Sequence, residues 1–144
     1  MLAGWAQRKL AGNGSIEPLL RDYLEAWETG DAERLERIVS EDYTGHVNAL
    51  AGVETRDRNG LAEQVRAHAQ TYSDARFELQ DCIANGGKIA ARARMQGRHE
   101  DGGDVDMEGM LILRIDRGRI AEEWASWDYL GVAQQLGVEL KVEP

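Results

Sequence analysis

The period of hydrophobic positions divides the chain into two halves. Ile16, Leu19, Leu20, Tyr23, Leu24 and Trp27 recur at the spacing that lays apolar side chains along one helix face. Ser15 can accept a hydrogen bond at the helix start, Pro18 suits a first turn, and Gly30 closes the segment. Asp31 is placed to cap a short second helix with Leu35, Ile38 and Val39 inward, and Leu61, Val65, His68 and Tyr72 mark a third. Beyond this point the period becomes two. Residues 77–84, 88–99, 105–116 and 119–128 alternate as strands of an antiparallel meander. Asn85-Gly86-Gly87 and Arg117-Gly118 supply tight turns, and an acidic link over 100–103 supplies a wider one. A short extra strand is predicted over 42–47 and a last helical turn from Tyr129.

Helices first and then a meander define an α+β fold, with a curved, mainly antiparallel sheet wrapped around the N-terminal helices as a cone-shaped barrel. The stretch from Leu111 to Ile115 is more apolar than a sheet with one wet face requires, and Trp124 and Trp127 fall on opposite faces of the next strand. That excess predicts a homodimer that buries the outer face.

With 144 residues, 42% of them hydrophobic and 30% charged, the chain has the size and composition of one globular domain. The domain is expected over 16–138, with an arm over 1–15 and a tail over 139–144. Seventeen basic against twenty-six acidic residues give a net charge of −9 with no cationic block, which argues against nucleic acid as a partner. Cys82 is the only cysteine, so the chain can form no internal disulfide and has no thiol pair for zinc; the cytoplasm is the expected compartment. Residues 1–15 contain no apolar stretch long enough for a signal peptide or a membrane span, so no membrane partner is expected. A phosphate-cradling glycine loop, a Gly-x-Ser-x-Gly turn and a His-Glu-x-x-His helix are all missing from the sequence, which argues against nucleotide-driven chemistry.

What remains is a sparse set of ionisable side chains at strand positions. Asp128 shares strand parity with Trp124 and Ser126, and a carboxylate among indoles is desolvated toward a pKa useful for moving protons. The same residue also reads as a cap for the helical turn that follows. His99 ends an apolar row of Ile89, Ala91, Ala93 and Met95; it either overlooks a pocket as a hydrogen-bond donor to a developing oxyanion or belongs to the acidic turn. His46 shares a polar face with Asp42, Thr44 and Asn48, either a pocket wall or a wet rim. His68 lies on the apolar stripe of its helix and reads as a packed core residue. Trp27, Tyr43, Tyr72 and Trp124 read either as packing or as walls for a flat ligand. A metal triad of two histidines and an aspartate would draw on three separate elements with no close-spaced pair, so no metal is expected.

The closing stretch, Gly118-Arg-Ile-Ala-Glu-Glu-Trp-Ala-Ser-Trp-Asp-Tyr-Leu-Gly-Val-Ala-Gln-Gln-Leu-Gly137, resembles the SnoaL-like polyketide cyclase family of the nuclear-transport-factor-2-like superfamily. Gly97-Arg98-His99 is similar to the family's Gly-Thr-His segment, and Asp42-Tyr43 through His46 to its early strand. The resemblance runs in order from about Ile16 to Gly137. It implies the cone fold, usually dimeric, without metal or organic cofactor, and a hydrophobic small-molecule ligand. It carries Asp128 to the family's catalytic acid/base and His99 to its assisting histidine. The implied reaction is an intramolecular aldol closure of a polyketide-like compound rich in carbonyls. The alternatives are a non-catalytic binding or dimerisation module of the same fold, and an epoxide hydrolase or isomerase. Arg98 and the short acidic stretch Asp101-Gly-Gly-Asp104 depart from the family pattern, and they bear on substrate more than on fold.

Overall fold

The computed structural model describes residues 17–139 and 141. The expected arm over 1–15, the helix start at Ser15 and Ile16, and most of the tail lie outside the described residues. Helix α1 (Glu17–Thr29) leads through a 3-10 turn (Ala32–Arg34) into the short α2 (Leu35–Ile38). Strands β1 (Val39–Ala49) and β2 (Gly52–Arg56) precede α3 (Arg58–Thr71). Then come β3 (Tyr72–Asn85), β4 (Lys88–His99), β5 (Asp104–Asp116), β6 (Arg119–Trp127) and helix α4 (Tyr129–Gln135). No helix among the described residues is long and apolar enough to cross a membrane.

The strands form one open sheet in the order β2-β1-β6-β5-β4-β3. Every neighbouring pair is antiparallel except β1 and β6, which run parallel. The β3–β4 turn is Gly86-Gly87, at φ of 59° and 79°, and the β5–β6 turn is Arg117-Gly118, at 52° and 76°. These backbone angles match the right-handed twist of the strands they join. Register shifts interrupt β1 against β6, β3 against β4, and β5 against β6. Such bulges bend a strand and increase its twist, which curls the sheet into an unclosed cone.

Helices α1 and α3 pack on each other and against β3 and β1, filling the concave face. Leu20, Tyr23 and Leu24 from α1 and Leu61 and Val65 from α3 join Ile89, Ala93 and Met95 of β4 and Leu111 and Leu113 of β5 in one buried cluster. At Gly109 of β5 the sheet tolerates no side chain, because a Cβ would sit 2.3 Å from the Trp127 ring across the ladder. Helix α4 lies against β5. Its last residue, Gln135, accepts from the Asp106 N–H and donates to the Asp106 carbonyl, both at 2.8 Å.

Three elements differ from the expectation drawn from period. β1 has eleven residues rather than six and β3 starts at Tyr72 rather than 77. Strand β2 is new: it is exposed on both faces along nearly its whole length, so it carries no alternation to read.

Candidate functional site

Between the concave face of the sheet and α1 and α3 lies a cavity of about 60 Å³. At about 10–15 Å³ per water, that is room for roughly five waters. Its walls are aromatic and aliphatic: Trp27, Tyr72, Phe77 and Trp127 with Leu24, Met107 and Leu111. Arg56, Val47 and Tyr129 also line a wider hollow of about 610 Å³, between the β1–β2 hairpin, Gln64 of α3 and helix α4. Drug-sized ligands occupy roughly 300–1,000 Å³. A ligand of that size would place only one end in the inner cavity.

The polar pole of the cavity is Glu123. Side chains two apart share a sheet face, so Glu123 points inward with Ala121, Ala125 and Trp127, and only 4% of its side chain is exposed. Three donors meet on Oε1: the Tyr23 hydroxyl at 2.5 Å, the Tyr43 hydroxyl at 2.7 Å and Arg56 Nη2 at 2.7 Å. Arg56, 7% exposed, also donates from Nε to the Tyr43 hydroxyl at 3.1 Å and from Nη1 to Gln64 Oε1 at 2.5 Å. Its guanidinium stands 5.4 Å from the centre of the Trp27 ring, within cation–π range. No described residue donates to Glu123 Oε2, and Glu123 is among the residues that line the cavity.

The electrostatics of the cluster keep its donors protonated. Burial, with the Glu123 charge adding to it, pushes both the Tyr23 and the Tyr43 hydroxyls well above the usual phenol range. Burial works against the Arg56 charge, but Tyr23, Glu123 and Tyr43 more than offset it and the guanidinium is raised. Gly45 of β1 makes the arrangement fit: a Cβ there would fall 2.3 Å from the Tyr43 hydroxyl and 3.0 Å from Arg56 Nε. Two further phenols, Tyr72 and Tyr129, line the cavity with no hydrogen bond from any described residue, and burial raises both.

Of the residues singled out in the sequence, the structure brings Trp27 and Tyr72 to the cavity wall and Tyr43 into the Glu123 cluster. The others lie elsewhere. Of the two readings of Asp128, desolvated among indoles or capping the following helix, the structure takes the second, and the side chain is exposed. β6 ends at Trp127 and the backbone turns out of the sheet (φ −78°, ψ 67°), so strand parity no longer directs the side chain. Its Oδ1 accepts from the Gly131 N–H at 2.9 Å and caps α4. His99 ends β4 at the acidic turn, with Nδ1 accepting from the Asp101 N–H at 3.1 Å, but its side chain is only 16% exposed and its ring is set against Tyr72 at 5.5 Å. His46 and Trp124 lie on the outer face, stacked at 5.5 Å, with His46 Nε2 2.8 Å from Glu122 Oε2. The cavity-facing side of β1 is that of Tyr43, Gly45 and Val47, opposite to His46.

Glu123, Arg56, Tyr23 and Tyr129 were not singled out for chemistry. The signal for Glu123 was present as an acidic residue at an inward position between two alanines. Among the described residues no group of three His, Cys, Asp or Glu side chains is placed to hold a metal ion.

Comparison with known proteins supplies a frame. The family model described as SnoaL-like polyketide cyclase matches residues 17–136. The chain is similar to TsrD from Streptomyces laurentii, with 27% identity and a TM-score of 0.76 over 88% of this chain and 98% of that one. It is similar to IdmH from Streptomyces antibioticus, named as a "putative polyketide cyclase", with 26% identity and a TM-score of 0.74 over 85% and 98%. A protein of Bacillus cereus bearing the same description shows 25% identity and a TM-score of 0.75 over 85% and 80%. No curated protein sequence matches the chain.

Proposed function

The chain belongs to the SnoaL-like polyketide cyclase family, and from that membership we propose that it is an acid/base enzyme working without a cofactor, closing a ring within a hydrophobic, carbonyl-rich small molecule by aldol addition. The observation that carries the reading is a buried carboxylate, Glu123, that lines an aromatic cavity, with Oε1 held by three donors and no described residue donating to Oε2. Fixing one oxygen orients the other, and orientation inside a closed site supplies much of the rate in such reactions. Glu123 takes the place that the resemblance gave to Asp128.

In this reaction Glu123 Oε2 removes a proton from a carbon between two carbonyls, and the C–H electron pair passes into the enolate. The enolate carbon attacks an aldehyde or ketone carbon of the same molecule, forming the C–C bond and an alkoxide. The alkoxide recovers the proton from Glu123, so the product is an isomer of the substrate. The Tyr72 and Tyr129 hydroxyls are available donors for charge developing on the carbonyl oxygens. The inner cavity takes the reacting end, and the outer hollow takes the remainder.

The proton-transfer step is tested without the natural substrate by following exchange of the acidic C–H of ethyl 2-methylacetoacetate into D2O by NMR. Wild-type protein should accelerate the exchange, and Glu123→Gln should lower that acceleration by roughly 10²- to 10⁴-fold, the range of a general base, while Asp128→Asn should keep it. No acceleration by the wild type would leave a binding module, and loss in Asp128→Asn with retention in Glu123→Gln would return the role to Asp128.

A homodimer completes the proposal. The outer face exposes Val53 (67%), Met110 (62%) and Ile112 beside Trp124, apolar residues from β2, β5 and β6 with His46 and Asn48 of β1 among them. Light scattering coupled to gel filtration that gives a monomer mass would remove the dimer.

A further inference from the structure

Besides the two phenols, the cavity is lined by a histidine whose two ring nitrogens are buried without a partner. His68 sits one turn before the end of α3, with its ring 5.4 Å from Trp27, 4.8 Å from Tyr72 and 5.7 Å from Phe77. All four residues line the cavity. Both ring nitrogens are buried, and neither has a hydrogen-bond partner; among the described residues they are the only buried side-chain nitrogens or oxygens in that condition. The Trp27 backbone lies near enough to the ring to favour its charged form, but outside hydrogen-bond geometry, and burial outweighs it. A neutral imidazole has one donor and one acceptor, and leaving both unmade in a folded interior is a cost that a phenylalanine of the same shape would avoid. The sequence reading as a packed core residue accounts for the apolar surroundings and leaves the two empty nitrogens unexplained.

We propose that His68 is a ligand-binding residue, its neutral ring N–H donating to a carbonyl oxygen of the molecule held in the cavity. Burial among three aromatic rings holds the imidazole below its usual pKa, so it binds as a neutral donor. In the reaction above, the same contact would hold the enolate oxygen while the proton rests on Glu123. His68 keeps its own proton throughout. The inference rests on the cavity being the ligand site, and it does not require that proton transfer occurs there.

Two probes of one shape separate the contact from packing: 1-tetralone, which carries a carbonyl, and tetralin, which lacks it. Quenching of tryptophan fluorescence in the full chain reports binding of either. Wild-type protein should prefer 1-tetralone by about 3- to 10-fold, as expected for one neutral hydrogen bond in a dry site. His68→Phe should reduce that preference to about one while binding tetralin as the wild type does, with a melting temperature equal or higher. A preference kept in His68→Phe overturns the proposal. So does a variant that melts lower and loses both ligands alike, or a wild type that binds neither. On wild-type protein labelled with 15N in its three histidines, 1-tetralone and not tetralin should move the ring signals of one neutral histidine. Shifts that are the same with both probes would overturn it as well. The exchange assay with Glu123→Gln is independent, so a failure of catalysis and a failure of this contact give different results.

Discussion

Replacing Glu123 by leucine removes the acceptor for three buried donors at once. Arg56 is then left as a charge with 7% of its side chain exposed and only Gln64 and two phenol oxygens around it. Breaking a buried ion pair from one side costs about 3–5 kcal/mol, because the remaining charge stays desolvated. For a chain of this length the entropy of unfolding is about 0.3 kcal/mol/K, so the loss amounts to a fall in Tm of roughly 10–17 °C. Arg56→Met alone should cost less than Glu123→Leu, since the carboxylate keeps the Tyr23 and Tyr43 hydroxyls at 2.5 and 2.7 Å. The double variant should recover much of the loss, because two apolar side chains of similar volume leave no buried charge. Urea unfolding followed by circular dichroism gives the three free energies and their coupling, which should be at least about 2 kcal/mol. A Glu123→Leu cost under about 1 kcal/mol, or strict additivity in the double variant, would refute the account of this cluster as a desolvated, mutually dependent unit.

Gly45→Ala places a methyl group 2.3 Å from the Tyr43 hydroxyl, so it should destabilise by roughly 1–3 kcal/mol, and it should slow the Glu123-dependent exchange through the displaced phenol. Full activity and stability in that variant would show the cluster to be loosely held. His68 should also leave a mark on the pH profile of stability. Burial lowers its folded pKa below the usual 6.5, so the unfolded chain takes up the proton first as pH falls. Stability present above pH 6.5 is therefore lost progressively below it, and His68→Phe should flatten this part of the urea-midpoint profile between pH 7 and 5. Identical slopes in the two proteins would contradict a neutral buried imidazole.

Much of the fold was legible because the sheet faces the helices on one side only. In β4 the buried row of Ile89, Ala91, Ala93 and Met95 alternates with Arg92, Arg94 and Gln96, and that alternation survives in any register that keeps the core dry. β2 was illegible for the opposite reason. As an edge strand paired only with β1, it buries neither face, so Val53 and Glu54 are exposed alike and no period marks it. Its end nevertheless delivers Arg56, whose long side chain reaches the cavity from the edge of the sheet.

The site was harder to read than the fold because the direction of a side chain near a strand end depends on where the strand stops. Asp128 has the correct parity for a strand that continues, but the chain leaves the sheet one residue earlier and the carboxylate turns to the Gly131 N–H. A side chain at Gly131 would place its Cβ 2.3 Å from that carboxylate, so the Asp128-Tyr-Leu-Gly131 stretch works as a unit, with the glycine making room for the cap. The resemblance at this stretch therefore has a structural reason independent of proton transfer. Glu123, five residues earlier and well inside β6, is the carboxylate whose direction the pleat does fix. The neighbouring Glu122 disguises it, since two adjacent glutamates look like a solvated pair, yet on a strand with one buried face one member of any adjacent pair must point inward. Here Ala121, Ala125 and Trp127 identify that face, and the buried member is the one that needs Tyr23, Tyr43 and Arg56 around it.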